Sequence, residues 1–285
     1  MVSHPKNFGG LPKMFSRYKE SKIAIIPVPY DGTSTWGKGA DKGPWALFEA
    51  SANMELYDIE TDSEVYQKGI FTDKPVSEKK SPEKMVAAVE KRVAGHLKEG
   101  KFTVVIGGEH SVSPGAVAAH AKAFKNLSVL QIDAHSDLRP QYEGTKNNHA
   151  CAMSRIKEMC PIVQVGIRSM CVEEKAHMDT SRVFFAHQIH ASKTWQEDAI
   201  AKLTDNVYIT FDLDAFDSAL MPSTGTPEPG GLDWNQVSTF LAKVFAQKNV
   251  VGFDVVELAP SKSNKAPDFV AAKLVYMMLS RKFAK

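Results

Sequence analysis

Cysteine is scarce: Cys151, Cys160 and Cys171 are the only three in 285 residues, an odd number with no C-x-x-C pair. Neither a disulfide framework nor a zinc ribbon can be built from them, and a reducing compartment fits such usage. No run reaches the ~18 consecutive apolar residues of a membrane span. The polar start MVSHPKNFGGLPKMFSRYKE has no apolar stretch of the kind a secretion signal carries. An excess of one charge is missing too, since 35 Lys and Arg oppose 33 Asp and Glu to leave +2. A nucleic-acid or membrane-surface partner would need basic residues in excess or in a stripe. Repeats, low-complexity tracts and linkers are absent. What remains is the expectation of a cytoplasmic globular protein, for which 43% apolar and 24% charged residues are ordinary values.

Against that background, five apolar, β-branched segments stand out: 22–28, 102–108, 127–135, 206–214 and 249–258, with 162–169 as a sixth. Their hydrophobicity is near-continuous, as in parallel strands buried on both faces. Helical stretches lie between them. Ser81-Pro82-Glu83 opens a helix that Gly100 closes, and Ser113-Pro114 opens another through Phe124. Asp233 caps a third, and PDFVAAKLVYMMLSRKF reads as a final amphipathic helix. Alternating strands and helices predict an α/β fold, a doubly wound parallel β-sheet flanked by helices. A single domain over 1–285 is the economical division, with 1–20 as an N-terminal extension packed on it.

The polar residues fall at the ends of these strands. FTVVIGG is followed by Glu109 and His110, LSVLQI by Asp133, His135 and Asp137, NVYITF by Asp212 and Asp214, and FDVV by Glu257. In an open α/β sheet, the carboxyl ends of the strands line the ligand crevice. If the strands continue, i, i+2 and i+4 share a face, so Asp133, His135 and Asp137 converge, as do Asp212 and Asp214. Charges gathered there must be compensated, because an unpaired buried charge is very costly. No lysine or arginine inside these motifs does so. A D-x-H or a D-x-D alone is most often a loop or a hydrogen-bonded pair, whereas both together, each after a buried strand, point to metal. Two imidazoles and four carboxylates favour manganese or magnesium over zinc, and the number of ligands suits two ions sharing carboxylates.

These motifs resemble those of the ureohydrolases, the arginase and agmatinase family. The resemblance rests on G-G-E-H-S (107–111), D-A-H-S-D-L-R (133–139), F-D-L-D-A-F-D (211–217), S-T-G-T-P-E-P-G-G (223–231) and V-V-E-L-A-P (255–260). The stretch 27–47 is similar to the family's first loop, with Asp41-Lys42 where an arginine is frequent. The resemblance implies an arginase-like α/β/α fold and two manganese ions per chain. His110, Asp133, Asp137 and Asp212 would hold one ion, and Asp133, His135, Asp212 and Asp214 the other. A hydroxide bridging the ions would attack the guanidino carbon. His149 matches the proton shuttle for the leaving amine, and Glu257 the acid that holds the guanidinium. Asp137 would steady the intermediate, and Thr226 lies in the loop near the substrate. It also implies a homo-trimer or hexamer.

Substrate choice is read from two departures from arginase. Cys171 stands where arginase has an aspartate for the α-amino group, and Arg139 where arginase has an asparagine for the carboxylate. The resemblance therefore implies agmatine, cleaved to putrescine and urea, with N1-aminopropylagmatine, guanidinobutyrate and arginine as alternatives. Glu143, Glu173 and Glu174 are candidates for holding a distal ammonium. Two further enzyme classes are disfavoured: phosphoesterases lack their G-D-x-x-D and G-N-H strings here, and one-zinc deacetylases use fewer ligands. A non-catalytic binding homologue is the remaining alternative. His4, His96, His120, His177, His187 and His190 follow no motif and read as surface or core residues.

Overall fold

The computed structural model describes residues 7–284; residues 1–6, with His4 and the start of the expected N-terminal extension, lie outside them. Eight strands form one sheet: β1 (Ile23–Val28), β2 (Ile70–Thr72), β3 (Phe102–Gly107), β4 (Leu127–Ile132), β5 (Ile162–Ile167), β6 (Val183–Phe185), β7 (Asn206–Asp212) and β8 (Asn249–Val256). Their order is β2-β1-β3-β8-β7-β4-β5-β6, and every neighbouring pair is parallel. Eight helices complete it: α1 (Gly43–Ser51), α2 (Pro82–Lys98), α3 (Ser113–Ala123), α4 (Ala152–Lys157), α5 (Ala186–Ala191), α6 (Trp195–Ala201), α7 (Trp234–Gln247) and α8 (Ala266–Phe283).

The strands are apolar along their whole length because both faces are covered. Ile23, Ile25, Val104, Ile106, Leu130, Ile132, Ile209, Phe211, Phe253 and Val255 point into one layer with α1, α6, α7 and α8. The alternate positions Ile26, Val28, Val105, Val129, Tyr208 and Val256 point into the other with α2, α3 and α4. This is the expected doubly wound α/β/α arrangement, and strand alternation explains the sorting. Phe8, in the N-terminal segment, is fully buried between Phe48 and Tyr276.

Local signals hold where side chains do the capping. Ser81 Oγ accepts from Lys84 N, and Asp233 and Gln236 cap α7 reciprocally. At α3 the signal differs. Ser113 is inside the first turn, and the preceding 3-10 turn His110–Val112 is capped by Glu109, which accepts from Ser111 N. The edge strands β2 and β6 and the short helices α1, α4, α5 and α6 go beyond the pattern read from the sequence, because pieces of three to nine residues carry too little periodicity.

Helix α8 corrects the sequence reading. Leu274 to Ser280 are buried without interruption, so the helix has no solvated stripe over those two turns. It packs against α1, α7 and β8 at once, which a one-sided helix could not do. Leu274 and Leu279 lie about 140° apart around it at 3.6 residues per turn. Leu274→Ala and Leu279→Ala are each expected to cost about 2–5 kcal/mol in chemical denaturation. An amphipathic helix would make one of the two nearly free.

Candidate metal centre and guanidino site

The four central strands β3-β8-β7-β4 are adjacent in the sheet, and their ends lie level: Ile106 pairs with Val255, Val255 with Phe211, and Phe211 with Ile132. His110 follows β3, Glu257 follows β8, Asp212 ends β7 and Asp133 follows β4. Gly108 lets the chain turn there, since a Cβ on it would sit 1.8 Å from the Tyr30 carbonyl oxygen.

Strand alternation does not bring Asp133, His135 and Asp137 together, contrary to the expectation. β4 ends at Ile132, and Asp137 has φ of +51°. A turn converges the three side chains, with the main-chain oxygen of Asp137 accepting from Met153 N and Ser154 N. Asp214 likewise lies in a 3-10 turn, Leu213–Ala215, rather than in a strand. Glu257 has φ of +68°. Left-handed backbone at a non-glycine residue costs on the order of 1–3 kcal/mol and is kept where position matters more than ease.

The side chains form two joined nests. His110 Nδ1 lies 3.1 Å from Asp133 Oδ2, 3.0 Å from Asp137 Oδ2 and 3.3 Å from Asp212 Oδ2. His135 Nδ1 lies 2.9 Å from Asp214 Oδ2 and 3.8 Å from Asp133 Oδ1. Asp133 belongs to both groups, His110–Asp133–Asp212 and Asp133–His135–Asp214, whose ligand atoms lie within 4.8 Å of one another. Main-chain amides fix the carboxylates: His135 N donates to Asp133 Oδ1, Ala134 N to Asp214 Oδ1 and Asp214 N to Asp212 Oδ1. Gln131 Nε2 holds Asp133 Oδ2 at 2.7 Å.

The wiring of His110 tests whether a cation fits. Thr210 Oγ1 donates its hydrogen to Asp254 Oδ1 at 2.6 Å, so it accepts from His110 Nε2 at 2.9 Å. Nδ1 of the neutral ring then carries a lone pair. That buried atom has no partner in hydrogen-bond geometry although three carboxylates surround it. A cation placed between them would meet all four groups, and donors about 3 Å apart match neighbouring ligands around one ion with bonds of about 2.1 Å. Among the described residues, the ion pairs of these aspartates run to histidine and none to lysine or arginine.

Proton affinities carry the same stress. Burial, with the charges of Asp214 and Asp137, pushes Asp133 up to about 7. Burial, with Asp214 and Asp133, holds Asp212 well above the usual carboxylate range. Burial would lower His135, but the charge and hydrogen bond of Asp214 outweigh it and raise the imidazole to about 11. Burial opposes ionisation of Asp214 too, yet His135 brings it down to about 2. Burial and the neighbouring carboxyl of Glu109 push Glu257 well above its ordinary value, an effect that a bound cation reverses.

A cavity of about 290 Å³ opens above the nests. His110, His135, Asp137, Arg139, His149, Cys171, Asp212, Asp214, Thr226 and Glu257 line it, while Asp133 lies beneath, fully buried. His110 N donates to Glu257 Oε1 at 2.8 Å, leaving Oε2 as the freer oxygen. Gly225 keeps the adjoining loop close: a Cβ there would come 3.7 Å from that Oε2. The Arg139 guanidinium lies 4.6 Å from the centre of the Tyr142 ring, whose edge meets His149. Burial, with Glu174 and Glu173, pushes the Cys171 thiol up, so it is neutral.

The three acids considered for a distal ammonium part company. Glu174 is buried, and its carboxylate accepts from Ser136 Oγ, Leu138 N and Cys171 N. Glu143 is exposed in the turn Tyr142–Thr145 and does not line the cavity. Glu173 is exposed beside Arg139 and Cys171. His120 is an ordinary core residue, with Nδ1 on the Ala116 carbonyl. The sequence reading missed Thr33, Trp36, Tyr142, Thr210 and Asp254. Only Asp254 left a signal, a carboxylate inside the otherwise apolar strand NVVGFDVV.

The proton affinities give a pH dependence. With metal removed, folded Asp133, Asp212 and His135 bind protons that the unfolded chain has released between pH 5 and 8. Stability is therefore present at the acid end and lost as pH rises, by up to about 1.4 kcal/mol per pH unit for each extra proton held. The melting temperature of metal-free protein is expected to fall from pH 5 to 8, and the gain on adding manganese to grow. A metal-free melting temperature that rises over this range would contradict the clustering.

Known proteins share this fold and much of this sequence. The sequence profile of the arginase family matches residues 21–280. N(1)-aminopropylagmatine ureohydrolase of Synechocystis is 37% identical over 96% of this chain and 95% of its own. A protein of the same name from Thermus thermophilus is 38% identical over 93% and 92%. Agmatinase of Pyrococcus horikoshii is 32% identical over 92% of both. The crystal structure of agmatine ureohydrolase from Thermoplasma volcanium superposes with a TM-score of 0.84 at 31% identity, covering 93% of this chain and 91% of that one. Family profile, relatives and site geometry converge on one conclusion: the chain belongs to the arginase family and is a ureohydrolase.

Proposed function

We propose that this ureohydrolase removes urea from the guanidino end of a linear polyamine, with N1-aminopropylagmatine as the preferred substrate and agmatine as the shorter one. The observation that carries the reading is the Glu257 carboxylate, lining the same cavity as the histidine–aspartate nests and His149. An anion for the planar guanidinium thus stands beside the metal ligands and a proton carrier. Two relatives at 37% and 38% identity bear the aminopropyl name, which favours the longer substrate over agmatine. Trp36, 82% exposed yet lining the cavity, supports the same choice, because an indole face can cover methylenes and an ammonium together.

His110, Asp133, Asp137 and Asp212 would hold one ion, and Asp133, His135, Asp212 and Asp214 a second, with manganese the reading for this oxygen-rich set. A bound metal pair supplies the nucleophile by acidifying water. Glu257 Oε2 orients the guanidinium, while the main-chain N–H of His110 holds its other oxygen. Asp137 would steady the intermediate, in which the guanidino carbon is tetrahedral, through one of its amino groups, and His149 delivers the proton the departing amine requires. The neutral Cys171 offers no charge to an α-amino group, and Thr226 borders the substrate. Arg139, stacked on Tyr142, is the group a carboxylate-bearing guanidine would seek, which makes guanidinobutyrate the principal rival. We further read residues 1–285 as one catalytic domain, a homo-trimer or hexamer in the cytoplasm.

The deciding measurement is kcat/KM for aminopropylagmatine, agmatine, arginine and guanidinobutyrate under the same manganese loading. Aminopropylagmatine is expected first and agmatine second. Arginine winning would overturn the reading of Cys171, guanidinobutyrate winning would make Arg139 the specificity residue, and no urea from any would leave a binding homologue. His149→Asn is expected to lower kcat about 10²–10⁴-fold with metal content intact. An unchanged kcat would remove His149 from the mechanism.

A further inference from the structure

We propose that Thr33 is a positioning residue for His149, fixing its imidazole in the tautomer with hydrogen on Nδ1 and leaving Nε2 to exchange a proton. This rests on the proton-carrying role given to His149 above and names what sets that side chain. Three segments distant in sequence meet at the threonine: the loop after β1, the residue following Gly107-Gly108 at the end of β3, and the 3-10 turn His149–Cys151.

The argument is a count of hydrogens. A threonine hydroxyl has one hydrogen to give and two lone pairs. Thr33 Oγ1 lies 2.8 Å from Glu109 Oε1, and Thr33 N points at the same oxygen from 3.2 Å. Glu109 is fully buried, and Ser111 supplies its N–H to Oε2 at 2.7 Å and its hydroxyl to Oε1 at 2.9 Å. With Glu109 ionised all four groups donate to it, and the threonine hydroxyl spends its one hydrogen on Oε1. The lone pairs of Oγ1 then receive His149 N at 2.9 Å and His149 Nδ1 at 3.2 Å. An unprotonated Nδ1 would set lone pair against lone pair. The ring must therefore carry hydrogen on Nδ1.

The consequence for proton transfer is direct. Among the described residues no hydrogen bond occupies Nε2, and His149 lines the cavity. Because Thr33 holds both the main-chain amide and the ring nitrogen of one residue, it fixes the turn and the rotamer together. The β-branched side chain adds stiffness at χ1. The route from His149 through a hydroxyl to a buried carboxylate repeats that from His110 through Thr210 to Asp254, so the site uses one device twice.

The test is a double-substitution cycle with a spectroscopic arm. Thr33→Val, of equal shape, removes the hydroxyl, and kcat is expected to fall about 10–100-fold, with KM and metal content near those of the unaltered enzyme. Thr33→Ser is expected to restore most of kcat. In the His149→Asn background, Thr33→Val is expected to cost nothing more. Unaltered kcat in Thr33→Val while His149→Asn is impaired would overturn this proposal alone. A Thr33→Val loss that persists in full beside His149→Asn would overturn it as well, marking a merely structural role. An unimpaired His149→Asn would instead remove the role on which the proposal rests. Should Thr33→Val fail to fold, the ¹⁵N spectrum of the magnesium-loaded, unsubstituted protein decides: the Nδ1–H form of His149 is expected, and the Nε2–H form would refute it.

Discussion

Four aspartates gathered around two imidazoles, at the carboxyl ends of the central strands, constrain everything else in this molecule. In water such a group would separate. Here Asp133, Asp137, Asp212 and Asp214 are all buried, and the nearest positive partners are histidines. The energy that holds them comes from the apolar layers on both faces of the sheet, which fix the four strand ends level regardless of what those ends carry. The metal-free site accommodates the charge by holding protons, and cations would replace those protons. Folding, metal loading and pH are thereby tied to one cluster.

Strain and hydrogen bonding divide the work of precision. Asp137 and Glu257 are held in left-handed backbone so that one faces the first nest and the other the cavity wall. Asp133, Asp212 and Asp214 each give one oxygen to a main-chain amide, which leaves the remaining oxygen a narrow choice of direction. Behind the histidines, Thr210 and Thr33 set the tautomers through buried carboxylates. A histidine that could flip or change tautomer would present hydrogen where a lone pair is needed. These partners lie outside the ligand set, yet they decide what the ligand set can do.

The outer cavity follows a looser rule. Trp36, Tyr142, Arg139 and Cys171 come from loops that no strand aligns, and they mix aromatic, cationic and neutral groups. A change in any of these loops leaves the floor undisturbed, because the floor is set by the strand ends. Glu174 illustrates the distinction: it resembles a binding acid in sequence, but its carboxylate is occupied in tying Ser136, Leu138 and Cys171 together.

The sequence by itself determined the layered α/β fold and the histidines and carboxylates at the strand ends. Near-continuous apolar runs need two covered faces, and polar residues directly after such runs have only the strand ends to occupy. It could not determine that β3, β8, β7 and β4 are neighbours, because adjacency depends on how helices cross the sheet over long separations. Nor could it show that a turn, rather than a strand, converges Asp133, His135 and Asp137, since the left-handed φ of Asp137 is imposed by main-chain bonds to α4. Thr33 and Thr210 were hidden for the same reason. Each is an unremarkable residue in its own segment, and its role exists only where a hydroxyl from one part of the chain meets a histidine and a buried carboxylate from others.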